Sequence, residues 1–136
     1  MGQITKIFLD TNIIIYFLER NEYFYDKVLP FFKDAEQNQV KLFSSSLSYM
    51  ELLIPIVKKK DLHIEIKYNF LFKKFFEVVD INMKVARLAA IIRAKYRTKT
   101  PDSIQIACAI YAGCSRFVTS DKKLKGVEEI NVLIIK

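Results

Sequence analysis

Five short apolar runs, separated by stretches that mostly carry helical periodicity, constrain this chain more than any other feature of its sequence. They are Ile4–Leu9, Val40–Ser44, Phe75–Asp80, Phe117–Thr119 and Asn131–Ile135. Apolar runs this short, bounded by polar turn residues, suit strands covered on both faces. Strands that alternate with helices connect by right-handed crossovers, which makes neighbouring strands parallel. The sequence therefore predicts α/β architecture: a three-layer α/β/α sandwich around a five-stranded, mainly parallel, Rossmann-like sheet. With 136 residues, the whole of 1–136 is expected to be a single domain. Hydrophobic residues at 51% supply a core for it.

Between the strands the periodicity predicts helices over Ile13–Leu18 and from Asp26 to Asn38, the second with Val28, Leu29, Phe32 and Ala35 on one face. Ser44-Ser45-Ser46 offers N-caps to a helix whose inner face is predicted to be Leu47, Met50, Leu53, Ile54 and Val57. Leu62–Lys74 reads as another helix, and Asn82 as the cap of one facing inward through Val85, Leu88, Ala89 and Ile92. Thr100-Pro101-Asp102 reads as a helix start with a cap, a first-turn proline and an acid at the positive end. No charged residue follows from Ser103 to Ser115, which predicts a buried helix ended by Gly113.

The remaining composition narrows the function. Only three Gly and three Pro occur, excluding low-complexity classes and leaving no glycine-rich phosphate loop. No run approaches the ~18 uninterrupted apolar residues of a membrane span, and Met1–Lys6 lacks the order of a signal peptide. Two cysteines, Cys108 and Cys114, build no disulfide framework, so a cytoplasmic setting is expected. Lys and Arg number 22 against 15 Asp and Glu, a net charge of +7 that favours a polyanion such as RNA as partner.

Within that basic surround the carboxylates carry the chemistry. Ligands of open α/β sheets bind outside the carboxyl ends of the strands. Asp10 directly follows the first strand, Asp121 lies just past the fourth, Asp102 opens the uncharged helix, and Glu51 borders an apolar stripe. Each has an ordinary structural reading: a cap for Asp10, a dipole partner for Asp102, a surface residue for Glu51, a turn for Asp121. Together at one rim they repel one another unless a cation neutralises them, and hard oxygen donors suit Mg²⁺ or Mn²⁺. Such a metal site amid basic residues points to hydrolysis of a phosphodiester.

The stretches Ile7-Phe8-Leu9-Asp10-Thr11-Asn12, Ser45-Ser46-Leu47-Ser48-Tyr49-Met50-Glu51-Leu52, Pro101-Asp102-Ser103-Ile104-Gln105-Ile106-Ala107 and Phe117-Val118-Thr119-Ser120-Asp121 resemble, in order, the motifs of the PIN-domain ribonucleases, especially VapC-like toxins of toxin–antitoxin pairs. The resemblance spans the chain. It implies a PIN-like fold, metal-dependent endoribonuclease activity, and Asp10, Glu51, Asp102 and Asp121 as catalytic metal-binding acids. Asn12 and Thr119 match polar residues that orient those carboxylates. Ser103 and Ser120 depart from the family's frequent Ala and Asn. An antitoxin partner and a homodimer are also implied. Two short helices cannot turn all the aromatics of Tyr16–Phe32 into one core, so some are expected to line an exposed groove. The similar region of the resembled toxins receives an antitoxin segment and contributes to homodimers; the alternative is simple core packing with a few exposed rings.

Arg93 and Lys95, which lead toward the helix bearing Asp102, are the expected RNA-backbone contacts. His63, the only histidine, is expected on the surface. Two readings compete: a catalytically silent RNA- or partner-binding domain of this fold, and a phospho-receiver module with Asp80 as acceptor. The second wants an acidic pair after the first strand, where only Asp10 stands.

Overall fold

From Ile7 onward the first strand is buried on both faces, so it must lie inside a sheet with layers above and below. The structure, a computed structural model, describes residues 4–136; of the stretch Met1–Lys6 read above for a leader, residues 1–3 lie outside the described residues. The strands are β1 (Thr5–Leu9), β2 (Val40–Ser45), β3 (Phe76–Val79), β4 (Arg116–Thr119) and β5 (Asn131–Ile134). They pair in the order β3-β2-β1-β4-β5, every pair parallel. Helices α1 (Thr11–Leu18) and α2 (Tyr25–Glu36) link β1 to β2, and α3 (Ser46–Lys58) and α4 (Leu62–Phe75) link β2 to β3. Helices α5 (Met83–Tyr96) and α6 (Thr100–Tyr111) lead to β4, and a short 3₁₀ helix (Lys122–Gly126) leads to β5.

The period-two alternation of the strands sends their side chains into two separate cores. Ile7, Leu9, Leu42 and Val118 pack with α1, α2 and α4, whereas Phe8, Phe43 and Phe117 pack with α5 and α6. The predicted three-layer sandwich is thus the observed one. Helix α6 is buried along Gln105–Ala109, as its lack of charge requires, and Gly113 ends it at φ 77°.

Three local expectations need correction. Thr100 does not cap α6 but is its first helical residue; Lys99 occupies the cap position without a side-chain cap. The Ser103 hydroxyl donates back to the Lys99 carbonyl at 2.8 Å, alongside the Ser103 amide at 2.9 Å, a bond that ties the first turn together without serving as a cap. In α3 the inner row is Ser48, Leu52 and Ile56, while Met50, Ile54 and Val57 are exposed. This helix is apolar on most sides, so periodicity cannot choose its face. Hydrogen bonds that draw Ser48 inward toward Thr11 and Gln105 choose it. Finally, the aromatics of Tyr16–Phe32 are mostly packed, with only Tyr23 exposed. Phe17 stacks on Phe32 with centroids 3.7 Å apart, Tyr16 stacks on Phe24 at 4.3 Å, and Phe75 of α4 meets Phe32 edge-on at 5.3 Å. The third helix supplies the cover that two short helices alone would lack.

Asp80 ends β3, an edge strand separated from β1 by β2. A phospho-acceptor there would stand apart from Asp10, which removes the geometric basis of the receiver reading.

Phe117 is fully buried and stacks on Phe8 across the sheet at 5.5 Å. Phe117→Ala should cost about 3–5 kcal/mol. Chemical denaturation checks this as a fall in midpoint with an unchanged slope.

Candidate active site

The strand order reverses between β1 and β4, so the chains leaving these two strands part in opposite directions and open a crevice. Leu9 lies opposite Val118 in register, and the Asp10 amide donates to the Val118 carbonyl at 2.9 Å. Asp10 and the Thr119-Ser120-Asp121 turn are therefore neighbours by topology. Ser45 caps α3 at the adjacent tip of β2, and α6 enters the same rim.

Asp10 is only 8% exposed and also serves as the N-cap of α1. One carboxylate oxygen accepts from the Thr11 amide at 2.9 Å, and the other from the Thr119 hydroxyl at 2.8 Å. The Gln105 amide group approaches the first oxygen at 3.4 Å. Burial dominates these bonds: it pushes the Asp10 carboxyl up to about 6, with a smaller upward push from the charge of Asp102.

The other three acids are half-buried. Glu51 accepts from the Thr11 hydroxyl at 2.8 Å. Asp121 caps the 3₁₀ helix by accepting from the Lys123 amide at 3.0 Å, while its own amide donates to Thr119 Oγ1 at 3.1 Å. Asp102 sits in the first turn of α6, and its carboxyl is pushed up by burial first, then by Asp121 and Glu51. Lys99 and Lys123 oppose that rise. Asp102 thus lies within charge range of the other three acids, and none of the salt bridges among the described residues involves any of the four.

Their side chains are not drawn together. Among the described residues, no three Asp, Glu, His or Cys side chains stand close enough to hold one ion jointly. The physical reason is visible in the bonds: Asp10, Glu51 and Asp121 each turn toward protein donors, as repelling carboxylates do. Asp102, Glu51 Oε2 and Asp121 Oδ2 accept no hydrogen bond from the described residues. Oxygens of this kind, on acids that form no ion pair among the described residues, fit a hard divalent cation.

Thr119 donates its hydroxyl to a carboxylate, that of Asp10. Asn12 does not: its amide nitrogen donates to Ser120 Oγ at 2.7 Å, and it bonds no carboxylate among the described residues. Ser120 draws it away, holding the Tyr16 hydroxyl at 3.0 Å on its other side. Asn12 Oδ1 is left buried without a partner among the described residues. Arg93 and Lys95 lie in the last turn of α5, where Arg93 donates to the Thr98 carbonyl and Lys95 pairs with Glu129 at 3.2 Å.

Sequence reasoning missed Thr11 and Gln105, which bond the acids, and Ser48, which bonds those two. It also missed Lys123 as a cation beside Asp102. Gln105 left a readable signal, a long polar side chain one turn past Asp102 in an otherwise apolar helix.

A carboxyl with a raised folded pKa makes the native state bind more protons than the unfolded chain. Metal-free stability should therefore fall as pH rises from about 4 through about 6 and then level off. Melting curves in EDTA across that range should show a component of up to about 3 kcal/mol in wild type that Asp10→Asn lacks.

The model of the PIN domain family matches residues 7–130. No curated protein sequence gives a significant match. Among solved structures, VapBC2 from Rickettsia felis, bound to a DNA fragment from its promoter, aligns with a TM-score of 0.75 at 19% identity, covering 97% of this chain and 100% of that one. DNA-bound VapBC from Salmonella typhimurium gives 0.74 at 20% identity, covering 96% and 98%. A toxin–antitoxin complex from Klebsiella pneumoniae gives 0.71 at 23%, covering 93% and 95%. At these identities the structures share the fold, and the family match extends over nearly the whole sequence. The chain belongs to the PIN domain family.

Proposed function

We propose that residues 1–136 act as one metal-dependent endoribonuclease domain, the toxin of a toxin–antitoxin pair. The observation that carries the reading is that Asp10, Glu51, Asp102 and Asp121 stand around the β1/β4 switch point, with Asp102 within charge range of the other three and none of the four in an ion pair among the described residues. Membership of the PIN family supports nuclease chemistry, and a net charge of +7 supports a polyanionic substrate.

In this reading Asp10, Glu51, Asp102 and Asp121 hold Mg²⁺ or Mn²⁺. The bound ion would supply Lewis acidity toward the scissile phosphate and lower the pKa of attacking water. The protein's own part is positional. Thr119 and the Thr11 amide fix Asp10, and the Thr11 hydroxyl fixes Glu51. Lys99 and Lys123, the cations felt by Asp102, are placed to hold the phosphates flanking the cleaved bond. Arg93 and Lys95 continue that basic track along the end of α5.

The solved neighbours are named as toxin–antitoxin assemblies, which supports an antitoxin as this chain's partner. Exposed Met50, Ile54 and Val57 on α3, with Leu62, Ile66 and Phe70 on α4, offer apolar area for that partner or for a second copy of the chain. No described helix is long and apolar enough to cross a membrane, and a cytoplasmic site of action is part of the proposal.

Asp102→Asn and Asp10→Asn should each abolish cleavage of single-stranded RNA while leaving a cooperative melt, and excess EDTA should do the same to wild type. Gel analysis of a labelled RNA reads this, and full activity in EDTA would refute the metal mechanism. In a cleavage-dead background, Lys99→Ala with Lys123→Ala should flatten the log–log salt dependence of RNA binding by roughly 1.4, about 0.7 for each phosphate no longer neutralised. Arg93→Ala with Lys95→Ala should flatten it by a smaller amount.

A further inference from the structure

Gln105 is 2% exposed, and its amide is the only side-chain group described in α6 that reaches toward β1, α1 and the start of α3 at once. Its Nε2 donates to Ser48 Oγ at 2.5 Å and to Thr11 Oγ1 at 3.0 Å, and lies 3.4 Å from Asp10 Oδ1. Its Oε1 accepts from the Ser45 hydroxyl.

Nε2 has two protons for these three acceptors, so the long approach to Asp10 shares a proton with one of the shorter bonds, and counting protons fixes the direction of the rest. The Thr11 hydroxyl has one proton, and Glu51 Oε1 receives it at 2.8 Å. The 2.7 Å bond between Thr11 and Ser48 must then be donated by Ser48. Ser48 in turn accepts from Gln105. Ser45 accepts from the Ser48 amide at 3.1 Å, which leaves its own proton for the Gln105 oxygen. Donors therefore run one way, from Ser45 through Gln105 and Ser48 to Thr11, and end on Glu51. The amide can take only one orientation, and Thr11 has every lone pair and its proton committed.

We infer that Gln105 is the positioning residue that couples two of the acids, holding Asp10 from the side and Glu51 through Thr11, so that it sets affinity for the metal rather than for the substrate. The inference rests on the metal-site reading above. A buried glutamine is costly without partners, and a complete set of bonds makes a rigid frame. Groups that orient metal ligands without touching the metal shift metal affinity by about 10- to 100-fold when removed.

Gln105→Met keeps length and volume and removes every bond. Calorimetric titration with Mn²⁺, in the absence of RNA, should show a Kd raised about 10-fold or more relative to wild type. RNA binding in EDTA should be unchanged, and cleavage should recover near-wild-type kcat once Mn²⁺ saturates the variant. A lowered melting temperature with an unaltered Mn²⁺ Kd would overturn the inference and leave Gln105 a structural residue alone. If wild type binds no Mn²⁺, this inference and the metal-site reading both fall; if both proteins bind Mn²⁺ equally, only this inference does. Should Gln105→Met show no cooperative melt, Ser48→Ala decides. It breaks one of the two routes from Gln105 to Thr11 and should raise the Kd about fivefold, whereas an unchanged Kd overturns the inference.

Discussion

Burying the carboxylate of Asp10 at the end of a central strand is the constraint on which the rest of the site depends. Burial disfavours the charged form, and only donors supplied from other elements hold it there. They come from the next strand over in Thr119, from the first turn of α1 in the Thr11 amide, and from α6 in Gln105. Those donors can meet only if β4 lies beside β1, which the β3-β2-β1-β4-β5 order provides. The position that is worst for an isolated acid thus becomes one where a cation would be most strongly welcomed.

Around that acid the structure separates two tasks. The two cores, one on each face of the sheet, fix the elements through close aromatic and aliphatic packing. The polar cluster of Ser45, Ser48, Thr11 and Gln105 works only at the strand tips, where the cores end and α3 and α6 begin. Rigid elements carry the cluster, and the cluster carries Asp10 and Glu51. Loops contribute little to the site beyond the short turn bearing Asp121.

Much of this arrangement is legible in the sequence. The alternation of short apolar runs with helices dictates the layered parallel sheet, and the strand-end rule leads to Asp10 and Asp121 without any structure. The absence of charge in Ser103–Ser115 announces a buried α6. Less accessible are features set by competition between nearly equal alternatives. Helix α3 offers two apolar stripes, and a hydrogen bond of Ser48, not hydrophobicity, selects the one that turns inward. The aromatic run Tyr16–Phe32 looks too large to bury because Phe75, which closes it, lies on a distant helix. Asn12 pairs with Ser120 rather than with a carboxylate, an outcome that depends on a side chain 108 positions away. Long-range polar pairing of this kind has no periodicity and leaves no local trace.

The central claim is that these four acids form a divalent-metal site. A crystal of the wild-type protein grown or soaked with Mn²⁺ and measured for anomalous scattering tests it most directly. The account predicts a strong peak at the β1/β4 tip, with oxygens of Asp10 and Asp102 within about 2.3 Å and the Asp10–Thr119 and Glu51–Thr11 bonds still in place. Manganese bound only elsewhere on the protein, with that crevice empty at saturating concentration, would contradict it.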